Sequence, residues 1–240
     1  MASCFSENSP QLFITADGSH SLHFQSVGES YHSVHGAMLE AQHVYIAPCF
    51  EAQAKVVKHV NVLEVGFGTG LNAFLTLCKS VEMGVSVDYT AIEAFPLAED
   101  VFTMLNYTEI YNKLFPADYP FDLRKTFLSM HYAAWGVPVE IVPNFRLTKI
   151  RAFVQDTELP ADTFHCVYYD AFAPQYQPEM WTADGFAKIA MAMCTGAILT
   201  TYCCKGDVKR AIKVNRLKIS KLQGFAGKRE MLRAEKTGVQ

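Results

Sequence analysis

The alternation of apolar and polar positions predicts a chain in which strands and helices follow one another. Short apolar runs with β-branched residues, typical of buried strands, occur at residues 62–65, 85–92, 164–169 and 198–202. Between them, apolar residues spaced i, i+3, i+4, i+7 predict helices, most clearly at Phe74, Leu77, Cys78 and Val81. This order favours an α/β fold with a doubly wound, parallel sheet.

Antiparallel pairs are predicted at both ends of the chain. Segments 11–15 and 21–25 flank Asp17-Gly18, a turn that favours a hairpin. Segments 216–222 and 230–234 predict a C-terminal antiparallel hairpin. We therefore predict one globular unit with two parts. Residues 1–50 form a small, β-rich N-terminal extension, a hairpin plus a helix over 30–46, packed on a main domain at 51–240.

The remaining pattern predicts further strands and helices in the main domain. Residues 97–135 predict helices with interruptions, and 137–142 and 145–153 predict a hairpin joined by Pro143-Asn144. Pro178 is a suitable first residue for a helix that extends to residue 193. A basic helix follows at 207–214.

Composition narrows the class of protein. The chain has 240 residues, half of them hydrophobic, which suffices for a sizeable core. No apolar run reaches the roughly 18 residues of a membrane span, so we expect no membrane association. Seven cysteines without a C-x-x-C pair predict reduced thiols and a cytoplasmic protein. Five histidines crowd the first 43 residues without acidic or thiolate partners at a metal-binding spacing, so no metal site is predicted; they are His20, His23, His32, His35 and His43.

The formal net charge of −3 conceals an asymmetry along the chain. Residues 205–236 hold 11 Lys and Arg against 3 Asp and Glu, which is +8. The rest of the chain holds 10 against 21, which is −11. A solvated basic face is one interpretation. A polyanionic partner such as a nucleic-acid backbone is the other, and we favour it.

The stretch NVLEVGFGTGLN at residues 61–72 predicts a strand, a tight glycine turn and a helix. Its G-x-G-x-G spacing differs from the nicotinamide fingerprint, which requires glycine where Leu71 stands. The pattern E-x-G-x-G-x-G, from Glu64 through Gly66 and Gly68 to Gly70, is similar to the first motif of class I S-adenosylmethionine methyltransferases. A glycine turn that binds no ligand is the alternative.

Three acidic residues stand at the ends of predicted strands: Glu64, Glu93 and Asp170. The carboxyl ends of parallel strands meet at one crevice, so we expect all three to face it. Glu93, 23 residues beyond Gly70, suits the two hydroxyls of a ribose. Asp170 remains for the reacting centre, where it could orient an amine and accept its proton. The alternatives are a surface glutamate and an aspartate that caps the next helix.

Four separated motifs carry a family resemblance. They are EVGFGTGLN, IEAFPL at 92–97, DAFAPQYQPEMWT at 170–182 and GFAGKREML at 224–232, supported by Tyr31, Gly36, Leu39, Glu40 and His43-Val44-Tyr45. Together, over about residues 20–234, they resemble the methyltransferase domain of the bacterial tRNA 5-methylaminomethyl-2-thiouridine biosynthesis protein.

This resemblance implies a Rossmann-like class I methyltransferase fold with S-adenosylmethionine as cofactor and S-adenosylhomocysteine as product. It implies N-methylation of the 5-aminomethyl group of a wobble (2-thio)uridine in tRNA, with Asp170 as catalytic residue. The implied cofactor contacts are Glu64, Gly66, Phe67, Gly68, Gly70, Asn72, Glu93, Ala94 and Asp170. The implied substrate and RNA contacts are Tyr31, Pro174, Trp181, Lys228 and Arg229.

The chain departs from that family in two respects. It ends at Gln240, without room for the FAD oxidoreductase domain of the bifunctional members, so a separate enzyme is expected to supply the aminomethyl group. Phe153 stands about where many class I enzymes place an adenine-binding acid, and Asp156 is a substitute. Two other functions remain open: a methyl- or aminopropyltransferase for a small amine, and a non-catalytic nucleotide- or RNA-binding module.

Overall fold

The structure, a computed structural model, describes residues 10–25 and 28–238. Within these residues the strands are β1 (Gln11–Ile14), β2 (His20–Phe24), β3 (Glu29–Ser30), β4 (His59–Val65), β5 (Ser86–Ile92), β6 (Pro138–Val142), β7 (Phe145–Ile150), β8 (Phe164–Tyr169), β9 (Met193–Thr201), β10 (Leu217–Leu222) and β11 (Met231–Lys236). The α-helices are α1 (Ala37–Ala41), α2 (Glu51–Ala54), α3 (Leu71–Met83), α4 (Glu99–Phe102), α5 (Tyr107–Leu114), α6 (Leu123–Tyr132), α7 (Ala183–Ala192) and α8 (Gly206–Val214). A π-helix, Gln42–Phe50, joins α1 to α2, and short 3-10 helices lie at Val154–Asp156 and Pro178–Trp181.

The central sheet has the strand order β10-β11-β9-β8-β4-β5-β7-β6. Its five middle strands, from β9 to β7, are parallel, whereas β6, β11 and β10 join through antiparallel pairs. The chain runs outward from β4 to β5 and β7 and then returns to β8, on the other side of β4. The direction of winding therefore reverses between β4 and β8, and the carboxyl ends of these two strands open a crevice.

This topology confirms the predicted doubly wound sheet and the C-terminal hairpin formed by β10 and β11. The predicted N-terminal hairpin is also present, because β1 pairs antiparallel with β2. A third strand, β3, completes a small separate sheet that the sequence did not predict. The predicted hairpin of β6 and β7 forms as well.

Side chains alternate between two buried cores on the opposite faces of the central sheet. Val60 and Val62 of β4 belong to one core, whereas Leu63 and Val65 belong to the other. The first core also receives α3 and the helical segment of residues 37–54, and the second receives α7 and α8. The N-terminal segment thus shares a core with the sheet. The division of the chain at residue 50 stays a prediction.

Several helix boundaries differ from the predicted ones. The helix predicted at 30–46 starts only at Ala37, because β3 occupies residues 29 and 30, and it extends through the π-helix to Ala54. The helix predicted at 178–193 is divided at Thr182, whose backbone is extended and whose hydroxyl accepts the N–H of Gly185. This capping bond starts α7 one residue later.

Candidate active site

A cavity of about 350 Å³ lies at the carboxyl ends of the parallel strands. Its walls come from the loops that follow β4, β5, β7 and β8, from residues 28–34 and α1 of the N-terminal segment, and from Lys228. The site therefore lies at the switch point of the sheet, where open α/β sheets bind ligands. The N-terminal segment covers it from one side.

The glycine turn after β4 has a backbone that side chains would obstruct. Gly66 has φ +97°, and a Cβ placed on it would lie 2.7 Å from the carbonyl oxygen of Asp170. Gly68 has φ +49°, and its Cβ would lie 3.0 Å from the Tyr31 ring. The absence of these Cβ atoms lets the β4 and β8 ends meet and lets the N-terminal segment approach the turn.

His131 and Lys149 support the glycine turn from behind, and no motif predicted either residue. Burial lowers the pKa of His131 to about 3, so its ring is neutral, and Nε2–H donates to the carbonyl of Thr69 at 3.1 Å. The ring stacks on Phe102 with centroids 4.3 Å apart. Lys149 donates to the His131 carbonyl and lies 4.5 Å from the centroid of the Trp135 ring; desolvation lowers its pKa to about 8.

Glu93, at the end of β5, links its own strand to the glycine turn. One carboxylate oxygen accepts the N–H of Gly68 at 2.8 Å, and the other accepts the N–H of Phe95 at 2.8 Å. Burial raises the pKa of Glu93, and these backbone hydrogen bonds oppose that rise. Glu93 is therefore held at the cavity wall and is not an isolated surface glutamate.

Asp170, at the end of β8, is the centre of a hydrogen-bonded chain of polar side chains. Its Oδ1 accepts the hydroxyl of Tyr45 at 2.5 Å, and its Oδ2 accepts Nδ2 of Asn72 at 2.9 Å. The same Asn72 nitrogen donates to Oε1 of Glu64 at 3.0 Å. Burial raises the pKa of Asp170 to about 7 although both hydrogen bonds lower it. Asp170 therefore does not serve as a helix cap, the alternative suggested by the sequence.

Glu64 lies behind Asn72 and has no exposed surface. Burial raises its pKa well above the usual range, and its Oε2 has no hydrogen-bond partner among the residues that the structure describes. Burial of a carboxyl group disfavours its charged form. Glu64 thus binds Asn72 from a fully buried position, whereas Asp170 lies in the cavity wall.

The structure places most predicted site residues at the cavity but not all of them. Those in its walls are Tyr31, Gly66, Phe67, Gly68, Asn72, Glu93, Ala94, Asp170 and Lys228. Those outside the walls are Glu64, Gly70, Pro174, Trp181 and Arg229. Tyr31, predicted as a substrate contact, lies against Gly68 in the turn predicted to hold the cofactor.

Trp181 lies in the core and not at the entrance. It is 5% exposed and packs against Tyr169 and Phe186. Its Nε1 donates to the carbonyl of Phe172 at 2.8 Å, and Tyr202 donates to the neighbouring carbonyl of Ala171 at 2.8 Å. These two bonds fix the loop that begins at Asp170.

The cavity wall formed by the residues after β7 is apolar. This is the place where many class I enzymes have an adenine-binding acid and where Asp156 was considered as a substitute. Ala152, Phe153 and Val154 line the cavity, and the Phe153 ring lies 5.6 Å from that of Phe95 in an edge-to-face arrangement. Asp156 is exposed and outside the walls. A flat, apolar group fits this part of the cavity better than a charged one.

Lys228 connects the C-terminal loop to the N-terminal segment at the cavity. Its Nζ lies 2.8 Å from Oε1 of Glu40, and Oε2 of Glu40 accepts the N–H of Ser33 at 2.7 Å. Lys228 also lies 5.6 Å from the centroid of the Tyr202 ring. The ion pair with Glu40 thus holds Lys228, a predicted substrate or RNA contact, against the N-terminal segment.

Within residues 10–25 and 28–238, no group of three or more His, Cys, Asp or Glu side chains is arranged to hold a metal ion. Three of the N-terminal histidines bond instead to Met104, Ser30 and Ser21. In the same residues, no helix has the length and apolar character needed to cross a membrane.

Comparison with known proteins supports the interpretation drawn from the motifs. Residues 124–237 match the model of a family described as S-adenosyl-L-methionine-dependent methyltransferase. Among curated proteins, the tRNA 5-methylaminomethyl-2-thiouridine biosynthesis bifunctional protein MnmC of Burkholderia thailandensis is 29% identical, covering 87% of this chain and 32% of its own length. The protein of the same name from Magnetococcus marinus is 30% identical, with 85% and 30% covered. The chain spans about a third of the length of these relatives.

Two solved structures share the fold. MnmC2 from Aquifex aeolicus has a TM-score of 0.71 at 23% identity, covering 97% of this chain and 73% of its own. Spermidine synthase from Thermotoga maritima has a TM-score of 0.57 at 10% identity, with 96% and 70% covered. These comparisons confirm the predicted fold class, the predicted family resemblance and S-adenosyl-L-methionine as the cofactor of the matched family.

Proposed function

We propose that this chain is an S-adenosyl-L-methionine-dependent methyltransferase that N-methylates the 5-aminomethyl group of a wobble uridine in tRNA. The curated relatives are named for the biosynthesis of 5-methylaminomethyl-2-thiouridine in tRNA, which supports this substrate. The observation that carries the proposal is Asp170, a carboxylate with a pKa of about 7 in the wall of the cavity beside the glycine turn.

The residues present fit the cofactor. Glu93 suits the ribose hydroxyls, and the apolar wall at Phe153 and Val154 suits the adenine ring. The buried Oδ1 of Asn72 has no hydrogen-bond partner among the described residues, which leaves an acceptor for the ammonium group of the methionyl part. Gly66 lets the ends of β4 and β8 meet beside the cavity, because a Cβ on it would lie 2.7 Å from the carbonyl oxygen of Asp170.

When bound, S-adenosyl-L-methionine supplies an electrophilic methyl group attached to a sulfonium. Asp170 accepts a proton from the substrate ammonium, so that the nitrogen lone pair becomes available for the new N–C bond. The electron pair of the C–S bond would stay on sulfur, and S-adenosylhomocysteine would be the other product. Asn72 and Tyr45 hold this carboxylate in place, and the remaining contribution is the alignment of the two reactants.

The basic C-terminal segment is divided between two ends of the sheet. We call the cations near the cavity the cationic rim; they are Lys205, Lys209, Lys221, Lys228 and Arg229. β11 is antiparallel to β9, so the loop before it lies at the carboxyl-end edge, where Lys228 lines the cavity. Lys205 donates to Gln175 in the loop after β8. Glu230 binds both Lys209 and Lys221, at 2.9 and 2.8 Å. We infer that this rim contacts the tRNA backbone.

Charge reversal at the rim is expected to weaken tRNA binding. The double variant Lys205→Glu with Arg229→Glu should lower affinity at least about tenfold and reduce the slope of log affinity against log salt by about 2, because each phosphate contact releases counterions. Filter binding at several salt concentrations measures both quantities.

The chain offers a matched control for this experiment. Lys213 and Lys218 are exposed and lie toward the opposite edge of the sheet, where β10 begins. Lys213→Glu with Lys218→Glu changes the net charge by the same amount and is expected to leave the salt slope unchanged. Equal weakening by both double variants would show that net charge alone governs binding and would contradict the inferred rim.

Methyl transfer to defined tRNA tests the proposed function directly. The purified protein is incubated with S-adenosyl-L-methionine and with tRNA that carries either 5-aminomethyl or unmodified wobble uridine, and the nucleosides are analysed by mass spectrometry. We expect a gain of one methyl group on the aminomethyl nucleoside alone. Methylation of a free polyamine with no reaction on tRNA would favour the small-amine alternative instead.

Two further proposals follow from the substrate. The reaction requires a free primary amine, so an enzymatic step that exposes the aminomethyl group is expected to precede it. A tRNA substrate also implies that the enzyme acts in the cytoplasm. In cells lacking the gene, the unmethylated aminomethyl nucleoside should accumulate.

A further inference from the structure

We propose that Tyr45 is a positioning residue that keeps Asp170 ionised and aimed at the reacting amine. This inference rests on the proposed function, in which Asp170 accepts a proton from the substrate. No motif in the sequence assigns a role to Tyr45, which appears there only as one residue of a similar segment.

The Tyr45 hydroxyl donates a hydrogen bond directly to the Asp170 carboxylate. The Tyr45 oxygen lies 2.5 Å from Oδ1 of Asp170, which leaves Oδ2 to Asn72. Tyr45 is 3% exposed, and its ring packs against Tyr168 with centroids 5.4 Å apart. A hydroxyl donor held this firmly fixes the rotation of the carboxyl group, because each oxygen already has a defined partner.

The backbone that carries Tyr45 is unusual. Tyr45 lies within the π-helix Gln42–Phe50, which also contains Pro48. Proline has no N–H to donate, and its ring clashes with a preceding carbonyl in a regular α-helix. The π-helix spans the part of the N-terminal segment that lies on β8 and β9 and brings Tyr45 to the carboxyl end of β8. π-helical turns are frequent at functional sites.

Other charged and titratable groups also face Asp170, and their effects differ in sign. Lys228 lowers the pKa of Asp170 and Glu40 raises it. Across this site the further groups are Glu64 on β4, Tyr89 on β5 and Tyr202 after β9. Burial raises the pKa of each of these three, which keeps the two tyrosines neutral at pH 7 and disfavours the charged form of Glu64. Tyr45 differs from all of them because its hydroxyl donates directly to the carboxylate.

The sign of the expected effect follows from this bond. A hydrogen bond donated to the ionised carboxylate favours the charged form and lowers its pKa. Burial alone raises the pKa of Asp170, and the bond from Tyr45 opposes that rise. Without the hydroxyl, the pKa of Asp170 rises further, and a smaller fraction of the enzyme holds the base that the reaction needs at neutral pH.

The test is the titration of Asp170 in wild type and Tyr45→Phe, followed by NMR of ¹³C-carboxyl-labelled aspartate and assigned by the loss of one signal in Asp170→Asn. We expect the pKa of Asp170 to rise by about one unit in Tyr45→Phe, the size of a hydrogen bond to a charged group. The acidic limb of the pH profile of kcat should shift to higher pH by the same amount. The loss of rate should then be about tenfold below pH 6 and small above pH 9.

Tyr111→Phe is the matched control, because this tyrosine is also buried and also donates its hydroxyl to a carboxylate, that of Glu82, but lies outside the cavity walls. It should leave the pKa of Asp170 and the position of the limb unchanged. An Asp170 pKa that is equal in wild type and Tyr45→Phe, or a loss of rate that is uniform with pH, would overturn the inference. A shifted pKa in a protein that methylates no tRNA would refute the proposed function alone.

Discussion

Replacing Asp170 by asparagine is expected to slow methyl transfer by about 10² to 10⁴-fold, the usual contribution of a general base. Asparagine keeps the shape of the side chain and can still accept from Tyr45, but it takes no proton from the substrate. Binding of S-adenosylhomocysteine should change little. Single-turnover methyl transfer and isothermal titration measure the two properties separately. Turnover at the wild-type rate would exclude Asp170 as the base.

The same residue predicts how the wild-type rate depends on pH. Burial raises the pKa of Asp170 to about 7, and the carboxylate is the active form. The rate should therefore increase as pH rises through about 7 and then level off. In Asp170→Asn this acidic limb should be absent, which distinguishes a lost base from a general loss of structure.

Gly66→Ala is expected to abolish cofactor binding and to destabilise the fold. The added Cβ would lie 2.7 Å from the Asp170 carbonyl oxygen, a contact that the two strand ends cannot avoid without separating. The φ of +97° adds backbone strain, which together with the clash should cost about 2–5 kcal/mol of unfolding free energy. Chemical denaturation and titration with S-adenosylhomocysteine measure the two effects.

Gly84→Ala separates strain from the clash. Gly84 ends α3 with φ +61°, and a Cβ on it would meet no atom within 4 Å. Its substitution should cost only about 1–2 kcal/mol, the strain of a left-handed residue, and should leave cofactor binding intact. If Gly66→Ala bound the cofactor as Gly84→Ala does, the close contact between the β4 and β8 ends would have no role in the site.

The parts of the site that follow from local sequence were predictable. A strand followed by closely spaced glycines and a helix fixes the turn around Gly66, because each step depends on neighbouring residues. Acids at the ends of parallel strands converge by topology alone, which is why Glu93 and Asp170 were expected at one crevice. The structure agrees on their placement at the cavity.

The parts that depend on contacts between distant residues were not predictable. Tyr45 meets Asp170 across 125 positions, and His131 meets Thr69 across 62. No spacing rule relates such pairs. Trp181 was predicted at the substrate entrance because it is a large aromatic residue near the Asp170 motif. Its packing shows instead that it lies in the core and supports the loop after β8 from within. The start of a helix also differed from the prediction where one capping residue determines it, as Thr182 does for α7.

We infer that the glycine turn, Glu93 and Asp170 enclose one molecule of S-adenosyl-L-methionine. A crystal structure with S-adenosylhomocysteine shows whether they do. We expect ribose hydroxyls within hydrogen-bond distance of the Glu93 carboxylate, adenine against Phe153, and the sulfur facing the side of the cavity that holds Asp170. Binding of the ligand elsewhere, or with its sulfur turned away from Asp170, would refute this arrangement.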